Sequence, residues 1–360
     1  MLVPAEEEDH LVRRAPRRYT RFGQAESFGG GERMDRIEQH RGSEQDDAYE
    51  RLARKALAGY GLADARLTRR GTSTRSTFEV SAGGPARHYA LRICPTDTET
   101  TQLEREILWL TALCRDTQLI VPEPILSSDG RLVRKVSIAG VHGVRPCVLL
   151  RWVDGESLDE ELDPDHLRGV GRMLALLHTH AEAFRWPEEI TPPRRNATLM
   201  SEILDERLLR TQYSDAELEG FREAVGRVAE TMAALRDGPN VAGVIHGDPR
   251  RSNLRFAGHE TRAFGFDACR WGYYAYDLAV VQGWIERREA AEGLATALHE
   301  GYRSLRHLSN EVERSVPLFA ALRSIDRIQS ILARPDRGEP SAGELHRAYE
   351  SVRRVVEENR

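Results

Sequence analysis

The chain has 360 residues, 40% of them hydrophobic and 30% charged, and a formal net charge of −5. This is the balance of a folded globular protein: too apolar for wholesale disorder, and without the global basic field that nucleic acid demands. No apolar run approaches the ~20 residues of a membrane-spanning helix, and the four scattered cysteines form no C-x-x-C pair for zinc or a disulfide framework.

The N-terminus lacks the basic start and apolar stretch of a secretory signal, so the expected location is cytoplasmic. Lys55 and Lys135 are the only lysines, and every other basic side chain is arginine. Residues 1–45 have no hydrophobic periodicity, contain Gly29-Gly30-Gly31 and carry an acid-free arginine stretch from Arg13 to Arg21, and read as a flexible leader.

Helical spacing begins at Asp46 and ends near Tyr60, with Gly61 as its C-cap. Alternating runs at Ala65–Gly71, Thr77–Ala82 and His88–Ile93 predict antiparallel strands joined at Gly71–Ser76 and Gly83-Gly84-Pro85. An amphipathic helix follows over Thr98–Cys114, then strands at Arg131–Ile138 and Arg145–Trp152. Beyond Gly155 the pattern turns helical, over Pro164–His180, Leu199–Leu209, Asp215–Leu235, Tyr276–Ala291 and several further stretches. A strand-rich part ahead of a helix-rich part predicts two lobes with a cleft between them.

The chemistry concentrates in Val244-Ile245-His246-Gly247-Asp248-Pro249-Arg250-Arg251-Ser252-Asn253-Leu254. An apolar pair leads into a tight turn bearing a carboxylate, and an asparagine follows five residues later. A predicted strand, Thr261–Phe266, delivers Asp267, and Trp271-Gly272 and Tyr276-Asp277-Leu278-Ala279 come next. Phosphoryl transfer needs a carboxylate to orient and deprotonate a hydroxyl, and oxygen ligands to hold Mg²⁺ against phosphates. This segment offers both.

His246–Asn253 resembles the catalytic loop of the aminoglycoside phosphotransferase and choline kinase-like family, whose usual form is His-Gly-Asp-x-His-x-x-Asn. Trp271-Gly272, Tyr276–Ala279, Leu176-Leu177-His178 and Glu106–Leu110 are similar to that family as well, over about residues 50–335 and most in the manner of its stress-response and homoserine-kinase-like branch. The resemblance implies an α+β, two-lobed protein-kinase-like fold: a nucleotide-binding lobe at 46–150 and a helical catalytic and acceptor lobe at 151–360. It implies ATP and Mg²⁺ as cofactors and a hydroxyl-bearing small molecule or peptide as acceptor. Asp248 takes the place of the catalytic base, and Asn253 that of a metal ligand. Glu106 takes that of the helix glutamate, and Arg92 that of its usually lysine partner at the phosphates. Val148–Val153, with Leu150 and Trp152, corresponds to the adenine hinge, and Gly71–Ser76 to the turn over the phosphates.

The chain departs from the family pattern at two places. Arg250 replaces the second histidine of the loop. By register, Gly265 replaces the metal-binding aspartate, leaving Asp267 as the next acid and Ala268 in place of a third. On a continuous strand Asp267 would point to the same face as position 265, about 6–7 Å along, and Gly265→Asp would be expected to raise activity. The other reading is a pseudokinase, a nucleotide- or partner-binding subunit without turnover, as in a natural-product or modified-peptide pathway. Of the remaining residues, His246 and Asp277 read as structural, bracing the loop. Asp267 has a structural role as its alternative. Trp271, Tyr273 and Tyr274 either floor an acceptor pocket or pack in the core. His178 and His180, two apart on a helix, do not face together.

Overall fold

The computed structural model describes residues 46–357, apart from 71–75, 85–86, 159–160, 194–203, 236–237, 287, 289 and 334–339. The leader, the turn expected over the phosphates and the start of the helix expected from Leu199 lie outside the described residues.

A first helix, α1, spans 46–58 and buries Tyr49, Leu52, Ala53, Ala56 and Leu57 on one face. It ends at Gly61, whose φ of +67° is open to glycine without strain. Five antiparallel strands follow as one sheet in the order β1 (Arg66–Arg70), β2 (Ser76–Ser81), β3 (His88–Ile93), β5 (Arg145–Arg151), β4 (Val133–Val136). Strand alternation sorts their side chains between two cores. Phe78, Val80, Leu91, Ile93, Cys147 and Leu149 pack with α1, whereas Val148 and Leu150 join the larger core behind the other face. Arg92, between Leu91 and Ile93, therefore points away from the α1 core.

Helix α2 (Thr100–Asp116) buries Leu103, Ile107, Trp109, Leu110 and Leu113 in that larger core, together with the helices of the second half. The sequence placed this helix with the small sheet. Its apolar stripe instead makes it the link between the sheet and the helical part, with Glu106 on the side toward β3. The helical part comprises α3 (Pro164–Ala183), α4 (Glu206–Leu209), α5 (Asp215–Leu235), α6 (Tyr274–Ile285), α7 (Ala291–Arg303), α8 (Asn310–Leu332) and α9 (Ala342–Glu357). Residues Ala48–Arg360 cluster as one compact unit. Among the described residues no helix is long and apolar enough to cross a membrane.

Two short antiparallel ribbons are set among the helices. One pairs β6 (Ala242–Ile245) with β9 (Arg270–Tyr273), and the other pairs β7 (Leu254–Ala257) with β8 (Glu260–Ala263). Chain order makes their connections notable: residues 246–253 run from β6 to β7, and residues 264–269 return from β8 to β9. Two peptide segments thus lie side by side between the same two ribbons, tied by Phe264 N–H donating to Asn253 O at 3.0 Å.

Candidate active site

The outgoing connection holds His246, Asp248 and Asn253, and a single carboxylate fixes its shape. Asp277, in the first turn of α6 and fully buried, accepts from the backbone N–H of His246 and of Gly247, both at 2.8 Å. His178 of α3, also fully buried, approaches the same carboxylate at 3.2 Å through Nε2 and meets the Tyr302 hydroxyl at 2.9 Å through Nδ1. Burial alone would raise the Asp277 pKa, but the hydrogen bond and proximity of His178, with the Gly247 amide, bring it below the ordinary carboxylate value. An ionised carboxylate at a helix N-terminus, facing two amides, is a stable brace.

Gly247 permits the turn. Its φ is +80°, and a Cβ there would lie 2.3 Å from the Ala268 carbonyl oxygen. His246 has no exposed surface; its Nε2 donates to Phe264 O at 3.1 Å while Nδ1 accepts from the Asp248 N–H at 3.3 Å. That pattern defines a neutral ring, and burial lowers its pKa in the same sense. The histidine ties the two connections together, as its structural reading required.

Asp248 emerges from this brace with 14% of its side chain exposed. Asn253 Nδ2 donates to the Asp248 carbonyl at 2.9 Å and to its Oδ2 at 3.3 Å. Arg250 Nε stands 3.0 Å from Oδ2, and Arg323 Nη2, from α8, donates to Oδ1 at 2.6 Å. Arg323 carries no motif: it lies 75 residues from the loop on a helix whose pattern predicts only packing, so sequence reasoning missed it.

The returning connection differs from its expectation. The strand ends at Ala263, not Phe266, and Gly265 takes a left-handed conformation with φ +76° and ψ +47° ahead of a 3-10 turn, Phe266–Ala268. Asp267 is half-buried in that turn, so the two-residue strand alternation that aligned it with position 265 does not hold. Position 265 does face the asparagine, because a Cβ there would lie 2.8 Å from Asn253 Cγ and Oδ1. Position 265 and Asn253 therefore face one another, and glycine offers no side chain there. Tyr273 and Tyr274 are buried and stack on Phe319 and His178, as packing in the core has it, whereas Trp271 is buried but also lines a cavity with Ala181, Phe184 and Pro239.

Residues 64–308 match the phosphotransferase enzyme family. The chain belongs to that family. A homoserine kinase of Agrobacterium fabrum is 28% identical over 207 residues, 56% of this chain, and the chain spans 60% of that relative's length. An uncharacterized protein of Deinococcus radiodurans is 29% identical over 296 residues, 76% of this chain and 80% of its own. Among solved structures, a microcompartment-associated aminopropanol kinase superposes with a TM-score of 0.70 at 25% identity, covering 86% of this chain and 98% of that one. An amicoumacin kinase bound to AMP-PNP and Ca²⁺ superposes with a TM-score of 0.69 at 18% identity, over 85% and 92% of the two chains. The fold is thus the two-lobed, kinase-like α+β architecture of this phosphotransferase family.

In this family member the sheet side of the site is a closed pair. Arg92 Nη1 and Nη2 donate to Glu106 Oε1 and Oε2 at 2.7 and 2.6 Å, the parallel fork that a lysine cannot make. Both side chains are largely buried, 13% and 3% exposed. A guanidinium has five N–H donors, so the fork leaves three not engaged by Glu106, of which Nε is buried. At the expected hinge, Arg151 N–H donates to Glu123 O and Trp152 N–H to His88 O, and the Trp152 ring stacks on His88. Leu150 is buried in the larger core. Those two amides are already engaged, so an adenine edge would have to be read from elsewhere on this strand.

For a cation, Asn253 Nδ2 is engaged by Asp248, which leaves its Oδ1 as the available ligand atom, and Asp267 lies in the adjacent turn. Such oxygen donors suit a hard ion that takes one or two carboxylates together with phosphate oxygens. Asp163, His166 and His259 also place ligand atoms within 4.8 Å of one another. The first two make a reciprocal N-cap on α3, which accounts for their approach.

Proposed function

We propose that the chain is an ATP-dependent phosphotransferase acting on a hydroxyl of a small molecule, with Asp248 as the base. The observation that carries this reading is the loop itself. One partly exposed carboxylate stands on a turn whose backbone is fixed from behind by Asp277 and whose far end is tied to the carboxylate by Asn253. Rigid placement of one such group is most of what phosphoryl transfer asks of a protein.

In this mechanism the acceptor hydroxyl lies against Asp248. Its oxygen forms the new bond to the γ-phosphorus, the bond from that phosphorus to the β–γ bridging oxygen breaks, ADP departs, and the hydroxyl proton passes to Asp248. Arg92, held by Glu106, directs its remaining donors at the phosphates. Asn253 and Asp267 would hold Mg²⁺, which when bound supplies positive charge against the phosphate oxygens. The homoserine and aminopropanol kinases among its relatives favour a small acceptor alcohol over a macromolecule.

One observation favours the second reading, binding without turnover: position 265, which faces Asn253, carries no carboxylate. Nucleotide binding and ATP turnover over a panel of amino alcohols and hydroxy acids, with and without Mg²⁺, separate the two. Turnover that falls about 10²–10⁴-fold in Asp248→Ala while ATP binding persists is the expected result. Tight ATP binding with no turnover on any acceptor would establish the second reading, and turnover unchanged in Asp248→Ala would remove Asp248 as the base.

A further inference from the structure

The Asp248 carboxylate is engaged on both oxygens. Arg323 holds Oδ1 at 2.6 Å, and Arg250 at 3.0 Å and Asn253 at 3.3 Å hold Oδ2. Among the described residues Asp248 is the only carboxylate within ion-pair distance of either arginine. Two guanidiniums therefore share one carboxylate, the group expected to receive a hydroxyl proton. Both cations are reachable: the Arg250 side chain is 58% exposed and that of Arg323 is 27% exposed.

We propose, resting on the phosphotransferase reading, that the acceptor carries a carboxylate near its hydroxyl and that Arg323, with Arg250, is its receptor. Binding of the hydroxy acid draws the guanidiniums from Asp248 onto the substrate carboxylate. That exchange leaves an Asp248 oxygen free for the hydroxyl. The same two side chains thus select the substrate and hold the base in check until it arrives. Charge is conserved in the exchange, since an arginine–carboxylate pair is replaced by another of the same geometry. A nucleotide phosphate is the other anion that could take these guanidiniums. The placement favours the acceptor: Arg323 projects from α8, which packs on α4, α5, α6 and α9, while Arg92 and Glu106 supply the phosphate pair from β3 and α2.

The test is calorimetric binding to the full chain of probes paired to differ in the carboxylate: 4-hydroxybutyrate against 4-hydroxybutanamide, and homoserine against 3-amino-1-propanol. ATP alone is titrated in parallel. In the wild type at least one carboxylate probe binds at least about tenfold more tightly than its partner, the weight of one charge-assisted hydrogen bond. The preference falls to about twofold or less in Arg323→Gln, narrows in the more exposed Arg250→Gln, and is partly restored in Arg323→Lys. Equal binding within each pair, no binding of any probe, or a preference that survives Arg323→Gln overturns the proposal. So does a tenfold loss of ATP affinity in Arg323→Gln with the acid preference intact, which would assign the guanidinium to the triphosphate. Failure of the wild type to bind ATP is a separate result, and it removes the phosphotransferase reading.

Discussion

The two connections between the β6–β9 and β7–β8 ribbons run side by side and are held in opposite ways. The outgoing one, 246–253, is fixed from behind by a fully buried carboxylate and from beside by a fully buried histidine. The returning one, 264–269, is anchored at its ends by Phe264 on Asn253 and by Gln102 of α2 on the Cys269 carbonyl. Between those anchors it passes through a glycine in a left-handed turn. The contrast separates a segment fixed by buried side chains from one fixed by close backbone approach. The base-bearing segment is determined by buried polar groups that tolerate no loss, while the segment expected to share a metal presents bare backbone to Asn253 at Gly265.

Asp277→Ala is the severest way to break the contrast. It strands two buried amides and the His178 ring at once, and the expected loss of stability is about 3–5 kcal/mol, the cost of removing one partner from a buried polar pair. Denaturant midpoints measure it. A variant within about 1 kcal/mol of the wild type, judged against the usual effect of a single substitution, would show that the loop holds itself.

Gly265→Asp probes the other connection. The sequence alone favours a gain of activity, because the substitution restores a carboxylate at the metal position. The structure predicts a cost first. The new Cβ would lie 2.8 Å from the Asn253 side chain, and the backbone there has φ +76°. Aspartate tolerates that region better than most residues, so the expected loss is about 1–3 kcal/mol, with Asn253 turned off Asp248. Equal stability of variant and wild type would mean that Asn253 moves freely and that the two connections differ less than their contacts suggest.

Much of this site was legible in the sequence because it is local. The loop, its asparagine and the downstream Tyr276–Ala279 segment sit within about thirty-five residues, and helix α5 runs over Asp215–Leu235 as its periodicity predicts. The Arg92–Glu106 contact was legible only through the family resemblance, which implied a helix glutamate paired with a basic residue on the strand; the fork geometry and the burial of both partners come from the fold. Three things were not legible. The allegiance of α2 to the larger core depends on which partner its apolar stripe meets. The end of β8 at Ala263 depends on the left-handed turn at Gly265, which alternation cannot register. Arg323 is set by the packing of α8, and one more arginine in a chain with two lysines gave no signal. The scarcity of lysine matters chemically all the same: the side chains at Glu106 and at Asp248 are forked guanidiniums, with geometry that a point charge lacks.

Acidification gives the gentlest test of the same contrast, since it acts on the brace without altering a side chain. His178, His246 and His299 all have pKa values lowered from the ordinary 6.5, burial being the first cause in each. Each is therefore neutral in the fold while the unfolded chain takes up protons as the pH drops below 6.5, so each withdraws stability from that point downward. The slope is about 1.4 kcal/mol per pH unit for each fully titrating histidine, until its lowered folded-state value is reached. Asp277 adds to this only at lower pH, because a depressed carboxyl contributes fully above its ordinary 3.8 and loses that contribution as the pH falls through its folded-state value. Denaturant midpoints at pH 7.5, 6 and 5 should decline steadily, and His246→Gln should lessen the decline measured from its own starting stability. A curve flat from pH 7.5 to 5 would mean that the loop opens to water on that timescale, and the rigidity assigned to the outgoing connection would then belong to α6 alone.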